Sequence, residues 1–321
     1  MFALTPNITP KMPNHYVCPK LDVPFSINGR LDHPAWMNAP WTEDFVDILG
    51  PEAKKPRFRT RAKMLWDSQY LYVGAELEEP HVWGTLTEHD SVIFQDNDFE
   101  IFLDPDGDNH LYAEFEMNAL NTTWDLLLVK PYRDGGPPVD GFELAGLRSA
   151  VHIRGTLNDS RDTDEGWTLE VAIPFAALKQ IAGTICPPKP GDVWRINFSR
   201  VQWITDIIEG RYVKRPGLPE DNWVWSPQGV VDMHQPEHWG LLQFSDGTPL
   251  PTPTLEPERA RLMAVYHAQH RFRSKSGRWA SELSQLGLET GDIRLEATGY
   301  QWSAQLGDWM IDHESRLRRF K

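Results

Sequence analysis

Two stretches of the chain, residues 96–105 and 111–118, alternate acidic or amide side chains with apolar ones. In an extended strand the side chains point alternately to the two faces, so the apolar residues of both stretches would enter a core. Turn-forming residues lie between the stretches and predict a hairpin, which would place Glu100, Glu116 and Asn118 together on the outer face. Carboxylates and amides on an open strand face suit a polar ligand, so we expect the functional site there.

Glu100 and Glu116 are open to two chemical interpretations. A glycoside hydrolase needs a pair of carboxyl groups roughly 5–10 Å apart across the scissile bond, and adjacent strands permit that spacing. In the other interpretation, both carboxylates accept hydrogen bonds from sugar hydroxyl groups in a non-catalytic site. The strands themselves supply no wall that would exclude water and hold one carboxyl protonated, and only the loops at residues 78–95 and 223–238 are long and aromatic enough to build one. We therefore favour binding and keep a glycan-cleaving enzyme as the alternative.

The turn after the first stretch carries Asp104, Asp106 and Asp108, and oxygen-rich loops of this kind can hold calcium. The glycine of this loop is misplaced for an EF-hand, so we interpret the three residues as a turn and keep structural calcium as the alternative. His234 and His238 lie four residues apart, but a proline between them denies the helical face that a zinc site would need. We predict no cofactor.

Composition narrows the class of ligand. The chain of 321 residues has 14 Trp and a formal net charge of −14, without a run of Lys or Arg. This charge repels nucleic acid and anionic membranes, and flat aromatic side chains stack well on sugar rings, so we expect a saccharide partner and neither of the other two. There is no signal for an oligomeric state. The start of the chain lacks a basic segment followed by an apolar one, which predicts a cytoplasmic protein by default, or a secreted one if a leader was removed.

Regularly spaced strands with few helices predict a mainly β fold, an antiparallel β-sandwich over residues 22–245. A proline-rich linker follows at 246–257, and residues 258–321 read as a small α+β module that begins with a helix over 258–273. Cys18 and Cys186 are expected to remain unpaired thiols. The remaining strands are predicted at residues 57–66, 70–77, 123–129, 150–154, 167–173, 193–203 and 241–244.

Five motifs in this order together resemble the carbohydrate-binding module family 9 and its DOMON-like relatives. The resemblance covers roughly residues 22–245 and implies a β-sandwich of the immunoglobulin-like, jelly-roll type. In that family, sugar-binding modules lie beside glycanase domains and hold terminal sugars between two tryptophans, helped by polar residues of adjacent strands. The motifs are residues 27–36, 71–74, 97–104, 166–174 and 238–241.

Matched motif by motif, the family's polar residues correspond to Glu100 and Asn118, which have the expected types. The two tryptophans correspond to Phe94 and Met233, and an arginine of the family corresponds to Glu116. Since Phe offers less stacking area than Trp and Met stacks poorly, the resemblance implies that the family's sugar clamp is altered in this chain.

Another aromatic ring would then have to complete the platform, and the candidates are Trp203, Trp225 and Trp83. In the enzyme alternative, His234 would lie near the two carboxylates. The expected ligand-binding residues are therefore Phe94, Glu100, Glu116, Asn118, Trp203, Trp225, Met233 and His234.

Overall fold

The structure is a computed structural model that describes residues 12–254, 256–288 and 291–320. The chain divides into two compact units. The larger comprises Asn14–Gly107 and Leu111–Pro251, and the smaller comprises Asp108–His110 with the described residues among 12–13 and 252–320. None of the helices in the described ranges is both long and apolar enough to cross a membrane.

Short strands build the larger unit, with a single short helix, α1 (Phe175–Leu178), among its described residues. Single 3₁₀ turns lie at Pro34–Asn38, Ile93–Gln95, Tyr132–Asp134 and Pro236–His238. In chain order the strands are β1 (His15–Pro19), β2 (Val46–Asp47), β3 (Thr60–Trp66), β4 (Tyr70–Glu78), β5 (Asp98–Asp104), β6 (Tyr112–Asn118), β7 (Thr123–Leu128), β8 (Pro138–Val139), β9 (Arg148–Arg154), β10 (Gly166–Pro174), β11 (Val193–Gln202), β12 (Thr205–Ile208), β13 (Arg211–Lys214), β14 (Asp221–Val224) and β15 (Gly240–Ser245).

Two sheets form the sandwich. The 9-stranded sheet has the order β1-β15-β11-β5-β6-β7-β8, with β14 paired to β11 and β2, and the 4-stranded sheet has the order β3-β4-β10-β9. The predicted fold class is confirmed. One pair departs from it, because β1 runs parallel to β15 at an edge of the larger sheet. The sequence prediction also missed the β12–β13 hairpin and assigned residues of β14 to a loop.

The core lies between the facing surfaces of the two sheets. Phe99 and Ile101 of β5 pack there with Phe115 of β6, and Val73 and Val171 come from the opposite sheet. These are the residues that period-2 alternation assigned to the inner face, because every second side chain of a strand points to the same side. The other face of β5 and β6 is therefore left for the polar side chains.

The smaller unit contains α2 (Pro257–Ser276), a 3₁₀ turn at Leu283–Leu286, and a 4-stranded antiparallel sheet. Helix α2 begins with a proline in its first turn and ends at Gly277, whose φ of 72° is the left-handed conformation that favours glycine. The strands of this sheet are β16 (Arg294–Ala297), β17 (Trp302–Leu306), β18 (Trp309–Asp312) and β19 (Leu317–Arg319). The domain boundaries at residues 245 and 258 stay a prediction.

Candidate functional site

The outer face of the 9-stranded sheet carries a row of carboxylates. In the register of β5 and β6, Glu100 lies opposite Glu116 and Asp98 lies opposite Asn118, while Trp124 of β7 lies opposite Glu116. All five therefore share one face of the pleated sheet, as the alternation predicted for Glu100, Glu116 and Asn118. The structure brings the two glutamates together.

The loops at residues 78–95 and 223–238 close over this face, which the strands alone would leave open. Glu100 is 5% exposed and Glu116 is 2% exposed. The 3₁₀ turn at Ile93–Gln95 contributes one part of the cover, because the backbone N–H of Phe94 donates to Glu116 Oε2 at 3.0 Å. Met233, from the loop before β15, packs in an apolar cluster on the same face. The two long aromatic loops thus supply the wall that the strands alone cannot.

A cavity of about 230 Å³ remains beneath this cover, and we call it the acidic cavity. Its floor consists of Glu100, Glu114 and Glu116, and its lining also includes Phe94, Trp124, Tyr132, Met233 and His234. The rings of Phe94 and Trp124 are stacked with centroids 6.5 Å apart. Pockets for drug-sized ligands measure roughly 300–1,000 Å³, so this smaller space suits a single ring or the end of a chain.

Two polar atoms of the cavity lining lack a hydrogen-bond partner among the described residues. They are Glu114 Oε2, an acceptor, and Trp124 Nε1, a donor. Buried polar groups are nearly always paired in folded proteins, since an unpaired one costs about 1–3 kcal/mol. A group that both donates and accepts would satisfy both atoms.

Burial and mutual repulsion keep protons on the floor of the cavity. Burial, followed by repulsion from Glu220, raises the pKa of Glu100 from 4.5 to about 7. Burial, reinforced by the charges of neighbouring carboxylates, also raises the pKa values of Asp98, Glu114 and Glu116 well above their ordinary range. These carboxyl groups therefore share protons near neutral pH.

His234 contributes a neutral ring to the cavity. Burial lowers the pKa of this imidazole from 6.5 to about 4, so the ring carries no charge at neutral pH. Its Nδ1 lies 3.0 Å from the hydroxyl of Tyr112, which can donate to the neutral nitrogen. His234 lines the cavity as the sequence predicted, and its role there stays a prediction.

Trp203 and Trp225, two of the tryptophans expected to complete a platform, are not among the residues that line the acidic cavity. Trp225 is 1% exposed and packs in the sandwich core, where its Nε1 donates to Glu43 Oε2 at 3.1 Å. Trp203 is not among the cavity-lining residues; its Nε1 donates to the carbonyl of Phe94 at 2.9 Å, and Lys214 Nζ lies 3.9 Å from its ring centroid. Trp203 therefore supports Phe94 from outside the cavity.

Asn118 is also placed differently from the expectation. It is fully buried, its amide donates to Leu86 O at 2.9 Å and to Asp96 Oδ2 at 3.0 Å, and its oxygen accepts from the N–H groups of Leu120 and Thr122. With donors and acceptor used inside the protein, Asn118 holds the turn after β6 in place and has no hydrogen-bonding capacity left for a ligand.

Sequence reasoning did not single out Trp124 or Tyr132, and it left Glu114 out of the expected binding set. Trp124 could have been predicted, because alternation along β7 places it on the same face as Glu116. Tyr132 lies in a 3₁₀ turn after β7, where periodicity gives no indication of direction. Its position depends on the fold of the loop.

The aspartates of the predicted calcium loop take part in closing turns. Asp104 Oδ1 accepts from the N–H of Gly107 at 3.0 Å, and Asp108 Oδ1 accepts from the N–H of His110 at 2.7 Å. Such bonds are those of an ordinary Asp-rich turn. Calcium at Asp104, Asp106 and Asp108 stays a prediction. Cys18 and Cys186 are both free thiols, as expected.

Similarity to known proteins extends over the sandwich. Exoglucanase XynX of Acetivibrio thermocellus is 24% identical over 159 residues, which is 50% of this chain but only 12% of that protein. A Bacteroides uniformis protein, provisionally named a carbohydrate-binding protein, has a similar fold with a TM-score of 0.53 at 17% identity, covering 73% of this chain and 100% of that one.

A family 9 carbohydrate-binding module of Caldicellulosiruptor kristjanssonii, solved with cellotriose, has a TM-score of 0.47 at 17% identity, covering 76% of this chain and 100% of that one. Residues 27–188 match the family model described as carbohydrate family 9 binding domain-like, and this match spans half of the chain. This chain belongs to the carbohydrate family 9 binding domain-like family.

Proposed function

We propose that this chain binds a saccharide in the acidic cavity and does not cleave it, which would serve glycan recognition or degradation. Family membership supports a sugar as ligand. The observation that carries the proposal is the pair of unpartnered atoms in the lining, Glu114 Oε2 and Trp124 Nε1. A sugar hydroxyl both donates and accepts, so a single class of group would pair both atoms.

The shape of the cavity agrees with this assignment. Phe94, Trp124 and Tyr132 provide aromatic surface, on which the apolar face of a pyranose ring can stack. The glutamates of the floor offer acceptors to the hydroxyl groups around the edge of that ring. A volume of about 230 Å³ limits the enclosed part of the ligand to a short saccharide or a chain end.

The arrangement of the carboxyl groups favours binding over hydrolysis. Carboxylate oxygens of Asp98, Glu100 and Glu116 lie within 4.8 Å of one another, on adjacent strands of one sheet. A glycosidase needs its two carboxyl groups on either side of the scissile bond, roughly 5–10 Å apart. Glu100 and Glu116 instead lie side by side on one floor, where both would contact the same face of a ligand.

Removing either unpartnered atom should weaken binding. Trp124→Phe keeps an aromatic ring and removes the N–H donor, and Glu114→Gln keeps the shape and removes the carboxylate. We expect each variant to raise the dissociation constant of the best ligand by roughly 3- to 10-fold, the value of one hydrogen bond. Isothermal titration calorimetry with mono- and disaccharides measures this effect. Glu52→Gln, at an exposed position, is the matched control, and unchanged affinity in both cavity variants would place the site elsewhere.

Hydrolysis is tested separately. Incubation of the full chain with a panel of glycans should release no measurable reducing sugar. Release that disappears in Glu100→Gln or Glu116→Gln, while the variants keep the circular dichroism spectrum of the wild type, would show that the carboxylates are catalytic.

A further inference from the structure

The acidic cavity contains several buried carboxyl groups but no Lys or Arg side chain among its described lining residues. Glu100, Glu114 and Glu116 are at most 5% exposed, and the lining contributed by the described residues includes no Lys or Arg. Two cations from neighbouring segments have other partners: Arg133 is paired with Glu237 at 2.7 Å, and Lys214 donates to Gln95 O at 2.8 Å. No Lys or Arg of the described lining therefore balances an ionised floor, and the floor carboxyl groups keep protons instead.

Burying a carboxylate without a counter-charge costs several kcal/mol, and a cation that enters such a site is attracted more strongly than it would be in water. His234 cannot take this role, because burial keeps its imidazole neutral. A neutral sugar would pair its hydroxyl groups with the floor and leave the protons on these carboxyl groups. A positively charged group on the ligand would provide both hydrogen bonds and charge.

The spacing of the carboxylate oxygens suits an ammonium group. Three acceptors that each lie about 2.8 Å from one tetrahedral nitrogen are roughly 4.6 Å apart. One oxygen each of Asp98, Glu100 and Glu116 lies within 4.8 Å of the others. Glu100 and Glu116 of this triad line the cavity, and Asp98 lies next to them on β5. A separate observation points to a ligand beside these two glutamates: Glu114 Oε2 lies in the cavity lining without a partner, on a side chain that is 4% exposed.

We propose, building on the proposed saccharide-binding function, that the preferred ligand is an amino sugar whose unacetylated primary amine lies on the floor of the acidic cavity. The ammonium group donates its three N–H bonds to the carboxylates of the floor. The sugar ring stacks against Phe94 and Trp124, whose faces also attract a cation. N-acetylation removes the charge and adds bulk, so the acetylated sugar is rejected.

Calorimetry with matched sugars tests this on the full chain. D-glucosamine, D-glucose and N-acetyl-D-glucosamine differ only at one ring position, and D-galactosamine with its counterparts covers the epimer. We expect the free amine to bind at least tenfold more tightly than its neutral counterparts. Glu116→Gln should reduce this preference to less than threefold, and Glu52→Gln should leave it unchanged. The comparison in the wild-type protein stands even if Glu116→Gln does not fold.

Three outcomes would overturn the inference in distinguishable ways. Equal or tighter binding of neutral sugars, weakened by Trp124→Phe, would leave the proposed function intact and remove the amino-sugar preference. No binding of any sugar on a wide panel would remove both. Calcium binding that is lost in Glu116→Gln, without competition by D-glucosamine, would assign the carboxylates to a metal ion.

Discussion

Replacing Glu170 with alanine is expected to lower the free energy of unfolding by about 4–5 kcal/mol, because one buried carboxylate serves four donors. Glu170 is 1% exposed in β10. Its Oε1 accepts from Trp36 Nε1 at 2.7 Å and from the N–H of Leu31 at 3.1 Å. Its Oε2 accepts from the N–H groups of Asn28 at 2.5 Å and Gly29 at 3.0 Å.

The alanine variant leaves these donors without an acceptor, and each hydrogen bond to a charged group contributes about 1.5–3 kcal/mol. The four losses are not additive, since the loop can relax toward water, and the expected total is therefore below their sum. Trp36 is 1% exposed and packs with Phe25 and Tyr72 on the outer side of β4 and β10, so its indole N–H has no access to water.

Urea denaturation followed by tryptophan fluorescence measures this loss. Glu170→Gln, which keeps one acceptor oxygen, should lie between the alanine variant and the wild type. Glu165→Ala, at an exposed position just before β10, should change the unfolding free energy by less than about 0.5 kcal/mol. A change below about 1 kcal/mol in Glu170→Ala would show that the segment around Trp36 is not held by this carboxylate.

Glu170 also gives a physical meaning to two of the motifs from which the family was anticipated. Residues 27–36 and 166–174 are far apart in the sequence, yet the carboxylate of one motif receives its hydrogen bonds from the other. These hydrogen bonds need specific residue types at specific positions. In the sequence they leave only two motifs that follow each other in the right order. Sequence patterns of this kind predict the fold well.

The strands at the site were predictable for a local reason. In β5 and β6 an apolar residue occupies every second position, so the face of Glu100 and Glu116 follows from the pleat alone. The cover over that face did not follow, because the positions of Phe94 and Met233 depend on loops whose conformation is set by distant contacts. The sequence therefore left open whether these loops close over the face, and in the structure they enclose a cavity.

The positions of the tryptophans also could not be predicted from the sequence. Trp124 lies in β7 and Trp225 directly follows β14. Composition alone does not show which of the two rings packs in the core and which could contact a ligand. Trp225 packs in the sandwich core, whereas Trp124 lies on the outer face beside Glu116. Strand register decides between them, and register requires pairing across the sheet.

The same buried glutamates should make stability depend on pH. Because burial raises the pKa of Glu100 from 4.5 to about 7, the folded state holds a proton in this range that the unfolded state has released. Stability must therefore fall as the pH rises through that window, and about 2.5 pKa units at 1.36 kcal/mol each amount to about 3 kcal/mol. The raised pKa values of Asp98, Glu114 and Glu116 act in the same direction.

Comparison of Glu100→Gln with the wild type measures this effect together with the loss of the repulsion that Glu100 exerts on Asp98, Glu114 and Glu116, which acts in the same direction. His234, with a pKa lowered to about 4, destabilises the folded state as the pH falls, but it is present in both proteins and cancels in the difference. Relative to the wild type, the glutamine variant should gain about 3 kcal/mol of unfolding free energy between about pH 4.5 and pH 7.5. Urea denaturation across this range measures the gain, with Glu52→Gln as the flat control. A difference that stays constant, or that grows as the pH falls, would mean that Glu100 is ionised in the folded protein throughout, and the acidic cavity would then already contain a counter-charge.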